Sequence, residues 1–240
     1  MFTLQRLKHY LAEHIPSRCL LCDNPTSHLL PLCHPCQMEL PWLHHHCQQC
    51  ALPLIQNDKE QLCGECLSST PPWQQCIAAF EYQPPISQLI SHYKHSANFA
   101  AGRVLATLLH TKITLSLDGA LPQLILPVPL HWRRQLSRGF NQSYDLARQL
   151  SARLGIACNY RYLRKHHHTP PQQGLPRKQR QKNLKGQFSV AKPVTDLHIA
   201  LVDDVVTTGS TARAVASLLV ASGAARVDLW CVARTPPPGH

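Results

Sequence analysis

Four pairs of cysteines, each with two residues between its members, constrain the amino-terminal part of this chain more than any other feature. The pairs are Cys19/Cys22, Cys33/Cys36, Cys47/Cys50 and Cys63/Cys66. Two thiolates at this spacing face one tetrahedral ion from a tight turn, and two such turns complete a closed structural zinc site. The eight cysteines therefore predict a module that folds around two structural Zn²⁺ ions.

The spacing leaves the pairing of these turns open. Gaps of 10, 10 and 12 residues separate successive pairs, so a sequential arrangement is the simplest and a crossed one is also compatible. Disulfides are the competing interpretation, but they belong to oxidising compartments, and the amino-terminal stretch lacks the apolar core of an export signal.

We interpret His44–His46 as an exposed run rather than as ligands. We expect the three lone cysteines, Cys76, Cys158 and Cys231, to be buried.

Composition divides the chain into a small module and a larger domain. Residues 1–18 are predicted as an amphipathic helix, 19–72 as a double zinc ribbon, 73–235 as an α/β domain and 236–240 as a disordered tail within the frayed end RTPPPGH. The Ser- and Pro-rich segment 68–74 is predicted to be the linker. Because the ribbon has little apolar core of its own, bound metal is expected to supply most of its folding free energy.

Apolar strands alternate with amphipathic helices through the larger domain. The stretches CIAAFEY, LPQLILPVPL, HIALVDD and RVDLWCVA are predicted strands. A helix is predicted where apolar residues recur at helical spacing from Phe140 to Leu154, ending at Gly155, and an earlier helical pattern is interrupted around KHSAN. Such alternation is typical of a mostly parallel sheet with helices on both faces. Ligands of such sheets bind beyond the carboxyl ends of the strands.

The stretch HIALVDDVVTTGSTARAV, residues 198–215, brings acids and small hydroxyl residues to that edge. A strand delivers Asp203 and Asp204, and the following turn leads into a helix whose exposed N–H groups and dipole attract an anion. The two carboxylates suit sugar hydroxyls or a bound Mg²⁺. Together these features predict a site for a phosphoribosyl group. A plain helix N-cap is the alternative, and it leaves the paired acids and the doubled threonine unexplained.

The charge of the chain favours polyanionic partners. The formal net charge is +11, and thirteen Lys and Arg stand against one acid between Arg133 and Lys185. Residues 163–186 are predicted to form a flexible basic loop, because the segment is rich in Pro and Gln and poor in apolar residues. No membrane-spanning run is apparent, so we expect a soluble, cytoplasmic protein. The candidates for contacts with nucleic acid are Arg138, Arg164, Lys165, Arg177, Lys178, Arg180, Lys182 and Lys185.

Three stretches, taken with the paired cysteines, resemble the ComF family, including its enterobacterial members. They are LPVPLHWRRQLSRGFNQSYDLARQLSARLG, RKQRQKNLKGQF and LVDDVVTTGST. The last is similar to the phosphoribosyl-pyrophosphate (PRPP) loop of type I phosphoribosyltransferases. The resemblance covers nearly all residues from Cys19 to Arg234. It implies a type I phosphoribosyltransferase-like sheet with helices on both faces, preceded by a Cys-rich zinc-ribbon module.

The resemblance also implies roles for single residues in binding PRPP. Asp203 and Asp204 would contact the ribose hydroxyls, with Mg²⁺ accompanying the ligand, and the basic loop would match a flap over the site. The 5′-phosphate would be held by Thr207, Thr208, Gly209, Ser210 and Thr211. The place of the pyrophosphate loop would be taken by Val128, Pro129 and Leu130, with Arg133 and Arg134 close behind. The prolines on both sides of Val128 depart from the usual form of that loop.

Two functions follow as hypotheses. The first is a factor of DNA uptake or utilisation, of the competence type, that binds PRPP and single-stranded DNA beside a helicase-like partner. The second is an active phosphoribosyltransferase that transfers phosphoribosyl from PRPP to an unidentified base or amine. Trp132, Phe140 and Tyr144 lie among basic residues and could stack on bases, although Phe140 and Tyr144 also fit the buried stripe of the predicted helix.

Overall fold

A computed structural model describes residues 17–26, 30–54, 61–117, 119–130, 136, 138–166 and 186–237. The predicted amino-terminal helix therefore lies outside the described residues, except for its last two positions. Arg133, Arg134 and Trp132 also lie outside them, as do the five predicted nucleic-acid contacts between Arg177 and Lys185. Among the helices that the structure describes, none is long and apolar enough to cross a membrane.

A five-stranded parallel sheet forms the centre of the molecule, with strands in the order β3-β9-β8-β4-β5. These strands are β3 (Gln75–Glu81), β4 (Leu124–Pro127), β5 (Ala157–Cys158), β8 (His198–Val206) and β9 (Arg226–Arg234). The four longer strands coincide with the four predicted apolar stretches. The parallel arrangement explains their composition, because a sheet covered on both faces needs nearly continuous apolar runs.

Helices cover both faces of the sheet, as predicted. Their bounds are α1 (His34–Met38), α2 (Gly64–Ser68), α3 (Ile86–His95), α4 (Phe99–Ser116), α5 (Gln142–Leu154) and α6 (Ser210–Ala221). Successive residues of β8 point into opposite cores: Ala200 and Val202 face α3, α4 and α5, whereas Ile199 and Leu201 face α6. The chain thus buries two apolar clusters, one on each face.

Short-range chemistry sets the ends of the helices. The Asn141 side chain accepts hydrogen bonds from the backbone of Ser143 and Tyr144, and Gly155 ends α5 with φ of 70°. The predicted interruption at KHSAN is the break between α3 and α4, where Asn98 caps the second helix. Phe140 lies just before α5 rather than in it, and its ring packs against those of Tyr93 and Phe99.

The zinc-binding segment wraps around the outer edge of β3. It contains the short pair β1 (Ser17–Arg18) and β2 (Pro25–Thr26) together with α1 and α2. The backbone N–H of Leu43 donates to the carbonyl oxygen of Ala79, and the backbone N–H of Glu81 donates to that of Pro41. The chain at residues 41–43 therefore pairs with the outer edge of β3. Cys19, Leu32 and Leu40 then join the apolar cluster on one face, and the second set of cysteines joins the cluster on the other. The ribbon therefore covers an edge that would otherwise be open to pairing.

Three sequence-based expectations need revision at their boundaries. The predicted linker 68–74 is exposed at residues 68–70 and 74, but it contains Trp73, which is only 3% exposed and packs into the core. The predicted basic loop 163–186 begins with a strand, β6 (Leu163–Lys165), which pairs with β7 (Phe188–Val190). In the predicted frayed end RTPPPGH, Arg234 belongs to β9 and is buried. Two-residue and three-residue strands are too short to show a periodic pattern, which is why β5, β6 and β7 were not predicted.

Candidate functional site

The eight paired cysteines form two separate groups of four. Cys19, Cys22, Cys33 and Cys36 make one group, and Cys47, Cys50, Cys63 and Cys66 make the other; within each group, all sulfur atoms lie within 4.8 Å of one another. The sulfur atoms of Cys22 and Cys33 are 3.6 Å apart, as are those of Cys50 and Cys63. A tetrahedral Zn²⁺ with bonds of about 2.3 Å separates its sulfur ligands by about 3.8 Å. Both groups fit structural zinc, and their grouping is the sequential one.

The two zinc-binding groups are built by the same local structure. In each, the residue after the second cysteine has a positive φ, 59° at Asp23 and 55° at Ala51. The backbone of that residue donates to the first cysteine of its pair. In each, the third cysteine (Cys33 or Cys63) precedes a five-residue helix with nearly the same dihedral angles, φ −75° with ψ of 155° or 156°. The module is therefore a tandem repeat of one metal-binding unit.

The sequence-based expectations for the other cysteines and the histidine run hold for Cys76, Cys231, His44 and His45, but not for Cys158 and His46. Cys76 and Cys231 are buried, and Cys158 is half-buried. His44 and His45 are exposed, while the half-buried His46 ring forms a hydrogen bond of 3.0 Å with the carbonyl oxygen of His44. Each four-cysteine group is complete without these histidines.

The turn between β8 and α6 leaves the start of the helix open to a ligand. Gly209 stands at the N-cap with φ of 70°, a conformation that favours glycine, and no side chain caps the helix. The hydroxyl groups of Thr208 and Ser210 lie 2.8 Å apart at the same place. Together with the end of β8, the turn 207–211 encloses a small cavity of about 60 Å³. Open backbone N–H groups and hydroxyl donors around such a cavity suit a phosphate-sized anion.

The two acids at the end of β8 have different partners. Asp203 accepts hydrogen bonds of 2.9 Å from the Ser143 hydroxyl and from the backbone N–H of Asp204. The carboxylate of Asp204 lies 3.0 Å from the ammonium group of Lys94, on α3. Burial and the neighbouring Asp204 carboxylate raise the pKa of Asp203 to about 7, although the hydrogen bond from Ser143 opposes this shift. The pair thus combines one ion-paired carboxylate with one that is held by hydrogen bonds and takes up a proton more readily than a free aspartate.

The position of Lys94 depends on close packing between α3 and α4. The ring of its neighbour Tyr93 lies so close to Gly102 that an added Cβ would come within 2.5 Å of the ring. The Tyr93 hydroxyl donates to Asp145 at 2.8 Å, which ties α3 to α5 as well. Lys94 was not among the predicted site residues, because no sequence pattern connects it with an acid more than a hundred residues away.

The segment proposed as the pyrophosphate loop lies beside the acids. The backbone of Val128 donates to Val202 of β8, and its carbonyl oxygen accepts a hydrogen bond of 3.3 Å from the Asn141 side chain. Pro129 and Leu130 follow at the carboxyl edge of the sheet. The structure therefore brings Val128–Leu130, Asp203 and the turn 207–211 to one edge.

Arg234 is a residue of this region that the sequence did not reveal. Its guanidinium group is buried and donates to the carbonyl oxygens of Val206, Thr207 and Thr235, and also to that of Cys50 at 3.2 Å. It therefore joins the turn 207–211 to the second zinc-binding group. Arg234 was predicted to belong to the frayed end, because an arginine after a strand and before prolines resembles a surface tail.

The second zinc-binding group also contacts α6, the helix that begins at the turn 207–211. The carboxylate of Glu65 lies 3.1 Å from the guanidinium of Arg213 on α6. The same guanidinium lies over the ring of Trp73, whose indole N–H donates to the Gln49 carbonyl at 2.8 Å. Trp73 of the predicted linker therefore contacts the helix that begins at the turn 207–211.

A basic and aromatic surface lies next to this edge, where the chain leaves β5. It consists of a 3₁₀ turn (Tyr160–Tyr162) and the hairpin formed by β6 and β7, and we call it the basic hairpin. Cations lie over rings in three places: Arg161 over Tyr160, Lys165 over Phe188 and Lys192 over Tyr162. Arg164 is exposed on β6, and Arg138 bonds to Gln142. Of the predicted nucleic-acid contacts, the structure places Arg164 and Lys165 on this hairpin and Arg138 near the start of α5.

The parallel sheet, the turn 207–211 and the paired zinc sites together define a class of protein: a type I phosphoribosyltransferase-like domain joined to a double zinc ribbon. The double zinc ribbon domain family matches residues 13–75, and the phosphoribosyl transferase domain family matches residues 136–237. The chain belongs to the ComF family, which includes the DNA utilization protein YhgH and competence protein F.

Relatives of known name match this chain over nearly its whole length. The chain is 37% identical over 226 residues to the DNA utilization protein YhgH of Salmonella typhimurium, which covers 92% of this chain and 98% of the relative. Identity to YhgH of Escherichia coli K12 is 37% over 228 residues, with the same coverage. Identity to competence protein F of Haemophilus influenzae is 36% over 227 residues, covering 90% of this chain and 96% of the relative.

Solved structures with a likeness to this chain include two from nucleotide metabolism. One is the allosteric regulatory enzyme of purine biosynthesis, with 18% identity and a TM-score of 0.38 over 54% of this chain and 25% of that one. The other is the purine phosphoribosyltransferase of Pyrococcus horikoshii, with 18% identity and a TM-score of 0.36 over 54% of this chain and 70% of that one. The family assignment rests on the full-length sequence relatives.

Proposed function

We propose that this protein binds PRPP at the carboxyl edge of its sheet and single-stranded DNA at the adjoining basic hairpin, and that it serves the uptake or use of external DNA. The names of its relatives, DNA utilization protein and competence protein, support the biological role. The net charge of +11 supports a polyanionic partner.

The open start of α6 beside two acids carries the proposal for PRPP. A 5′-phosphate in the cavity at 207–211 would accept hydrogen bonds from the uncapped N–H groups and from the hydroxyls of Thr208 and Ser210. The ribose hydroxyls would then reach Asp203 and Asp204, which follow from the same strand.

Lys94 affects which of the two acids would bind magnesium in this proposal. Its ammonium group neutralises Asp204, whereas Asp203 has only hydrogen-bond donors as partners among the described residues. Mg²⁺ that accompanies PRPP would be held by the oxygens of the ligand and by Asp203, and it would balance the charge of the pyrophosphate. Arg133 and Arg134 are proposed to contact the same group.

The double substitution Asp203→Asn/Asp204→Asn is expected to weaken PRPP binding at least about 100-fold. Each charged acceptor of a ribose hydroxyl contributes about 1.5–3 kcal/mol, and the amides that replace them accept hydrogen bonds less strongly. The measurement is calorimetric titration of PRPP into the zinc-loaded protein, with and without Mg²⁺.

A matched control is Asp23→Asn/Asp196→Asn, because both acids are exposed and both lie at positive φ, which asparagine tolerates. The control should bind as the unmodified protein does. Equal PRPP affinity in the unmodified protein and the Asp203/Asp204 variant would contradict the proposal. Release of pyrophosphate when bases or amines are added would instead identify an active phosphoribosyltransferase.

The basic hairpin supports the DNA-binding half of the proposal. Tyr160 is half exposed, at 50%, and its ring meets that of Tyr144 edge to face, with 5.0 Å between the ring centres. Aromatic rings among arginines and lysines are the usual means of binding single strands without sequence preference, since bases stack and cations track the phosphates. Tyr144 was predicted as a stacking candidate, and Tyr160 and Arg161 extend this surface.

Replacing Arg164 and Lys165 with glutamine is expected to weaken binding of oligo-dT and to reduce its salt dependence. Each lost phosphate contact should lower the slope of log affinity against log salt by about 0.7. Fluorescence anisotropy at several salt concentrations measures both quantities. The control Arg18→Gln/Arg103→Gln removes the same charge from exposed positions away from the hairpin. An unchanged slope in the hairpin variant, or an equal change in the control, would rule out this surface.

A further inference from the structure

A cleft of about 660 Å³ lies between the second zinc-binding group and the amino-terminal end of β3. It opens at the edge of the sheet opposite to Asp203, beside the end of α4 and the start of β9. Its volume lies within the range of small-molecule sites in proteins. The cleft is therefore separate from the proposed PRPP site and is large enough for a ligand of its own.

Lys112 gives this cleft a positive charge that the described residues do not neutralise. The side chain is half-buried at the end of α4, and its ammonium group donates to the carbonyl oxygen of Leu43 at 3.0 Å. Among the residues that the structure describes, no carboxylate pairs with it. Burial lowers the pKa of Lys112, which reflects the cost of holding this charge away from water. An anion in the cleft would offset that cost.

Arg226 adds a second cation at the cleft, at the start of β9. Its Nε donates to one oxygen of the buried Asp228 at 3.0 Å, and the other oxygen of Asp228 lies 2.7 Å from the ring of His198. The carboxylate of Asp228 is thus shared between Arg226 and His198. The terminal nitrogens of Arg226 have no partner in the described part of the chain. No acidic residue is among those that line the cleft.

Four glutamines, together with His46 and Ser116, supply further polar groups to the cleft. Two of them support the fold: Gln74 accepts from the backbone of Val227, and Gln75 donates to the carbonyl oxygen of Ser116. The side chains of Gln48 and Gln49 have no hydrogen-bond partner among the described residues. A carboxamide offers a donor and an acceptor side by side, which matches the paired groups on the edge of an adenine base.

We propose that this cleft binds a nucleotide, with its phosphate at Lys112 and Arg226 and its base edge at Gln48 and Gln49. Lys112, which has no acid partner among the described residues, and the unpartnered terminal nitrogens of Arg226 favour a phosphate. The two carboxamides without described partners favour a base, with adenine preferred. A free nucleotide and a nucleotide within single-stranded DNA share this chemistry. Binding here needs the ribbon and the sheet together, since each contributes one wall.

The double substitution Gln48→Ala/Gln49→Ala is expected to weaken AMP binding to the zinc-loaded full chain at least about 10-fold, because the base loses both of its carboxamide partners. The substitution leaves the Lys112 contact and both zinc-binding groups in place. Calorimetric titration with AMP, dTMP and inorganic phosphate measures the effect, and AMP should bind more tightly than the other two. A parallel titration with oligo-dA distinguishes a free nucleotide from a nucleotide within single-stranded DNA as the ligand of the cleft.

Two further variants make the result decisive. Gln83→Ala/Gln88→Ala removes two exposed carboxamides elsewhere and should leave AMP affinity unchanged. Arg226→Gln should weaken inorganic phosphate, AMP and oligo-dA alike. Failure of AMP and oligo-dA to bind at millimolar concentration would overturn the proposal. So would equal affinity in the Gln48/Gln49 variant and the unmodified protein, or complete displacement of AMP by PRPP, which would place AMP at the other edge of the sheet.

Discussion

Replacing Cys47 with serine is expected to lower the melting temperature by more than about 10 °C and to destabilise the sheet as well as the ribbon. A structural zinc site contributes on the order of 10 kcal/mol to folding, and a domain of this size loses about 2–4 °C per kcal/mol. Cys47 and its three partners lie in the same apolar cluster as Leu126 and Val206 of the sheet. Loss of this ion therefore removes part of the shared core.

The matched variant for this prediction is Cys22→Ser, in the first zinc-binding group. Cys22 is exposed, and only Cys19 of its group is buried, whereas all four cysteines of the second group are buried. Both variants should lose one zinc ion by elemental analysis, yet the melting temperature should fall less for Cys22→Ser. Equal falls in melting temperature would show that the second zinc-binding group contributes no more to the stability of the sheet than the first group does.

Replacing Arg234 with methionine is expected to cost about 3–5 kcal/mol of folding free energy and to weaken PRPP binding about 10-fold. Methionine leaves the carbonyl oxygens of Thr207 and Cys50 without this donor, whereas Val206 keeps the backbone N–H of Thr235, and each such loss costs about 1–3 kcal/mol. The turn 207–211 then has fewer contacts that hold its open N–H groups toward a phosphate. Chemical denaturation and PRPP titration measure the two effects.

Arg234→Lys separates the charge of this side chain from its geometry. Lysine keeps the positive charge but cannot donate to carbonyl oxygens in several directions from one plane. The stability of Arg234→Lys should therefore lie between that of the unmodified protein and that of Arg234→Met. The prediction fails if Arg234→Met unfolds at the same denaturant concentration as the unmodified protein. A stable Arg234→Met protein with unchanged PRPP affinity would also show that the turn does not depend on this residue.

Features with a local signature could be predicted from the sequence. Cysteine spacing identified both zinc-binding groups, and the apolar run before Asp203 identified β8 and its turn. The helical stripe identified α5, whose observed ends follow from Asn141 and Gly155. In each case, the residues that determine the structure lie within a few positions of one another.

Features that depend on distant contacts could not be predicted. Nothing near Lys94 in the sequence indicates its ion pair with Asp204, and nothing near Arg234 indicates that Cys50 accepts its hydrogen bond. The cleft beside Lys112 is likewise formed by five segments that meet only in the folded chain. The pairing of the two zinc-binding groups was open for the same reason, because similar gap lengths allow two arrangements.

The position of β9 in the sheet has a consequence for how the protein is made. β9 lies between β3 and β8, yet it is synthesised after every other strand that the structure describes. While the ribosome is still adding residues 226–234, β3 and the ribbon on its outer edge have no inner neighbour. The long sequence separation between β3 and β9 slows their pairing, and exposed strands invite aggregation in the interval. Zinc binding before β9 is synthesised would protect the nascent chain. The folded ribbon covers the outer edge of β3, and this edge does not depend on β9.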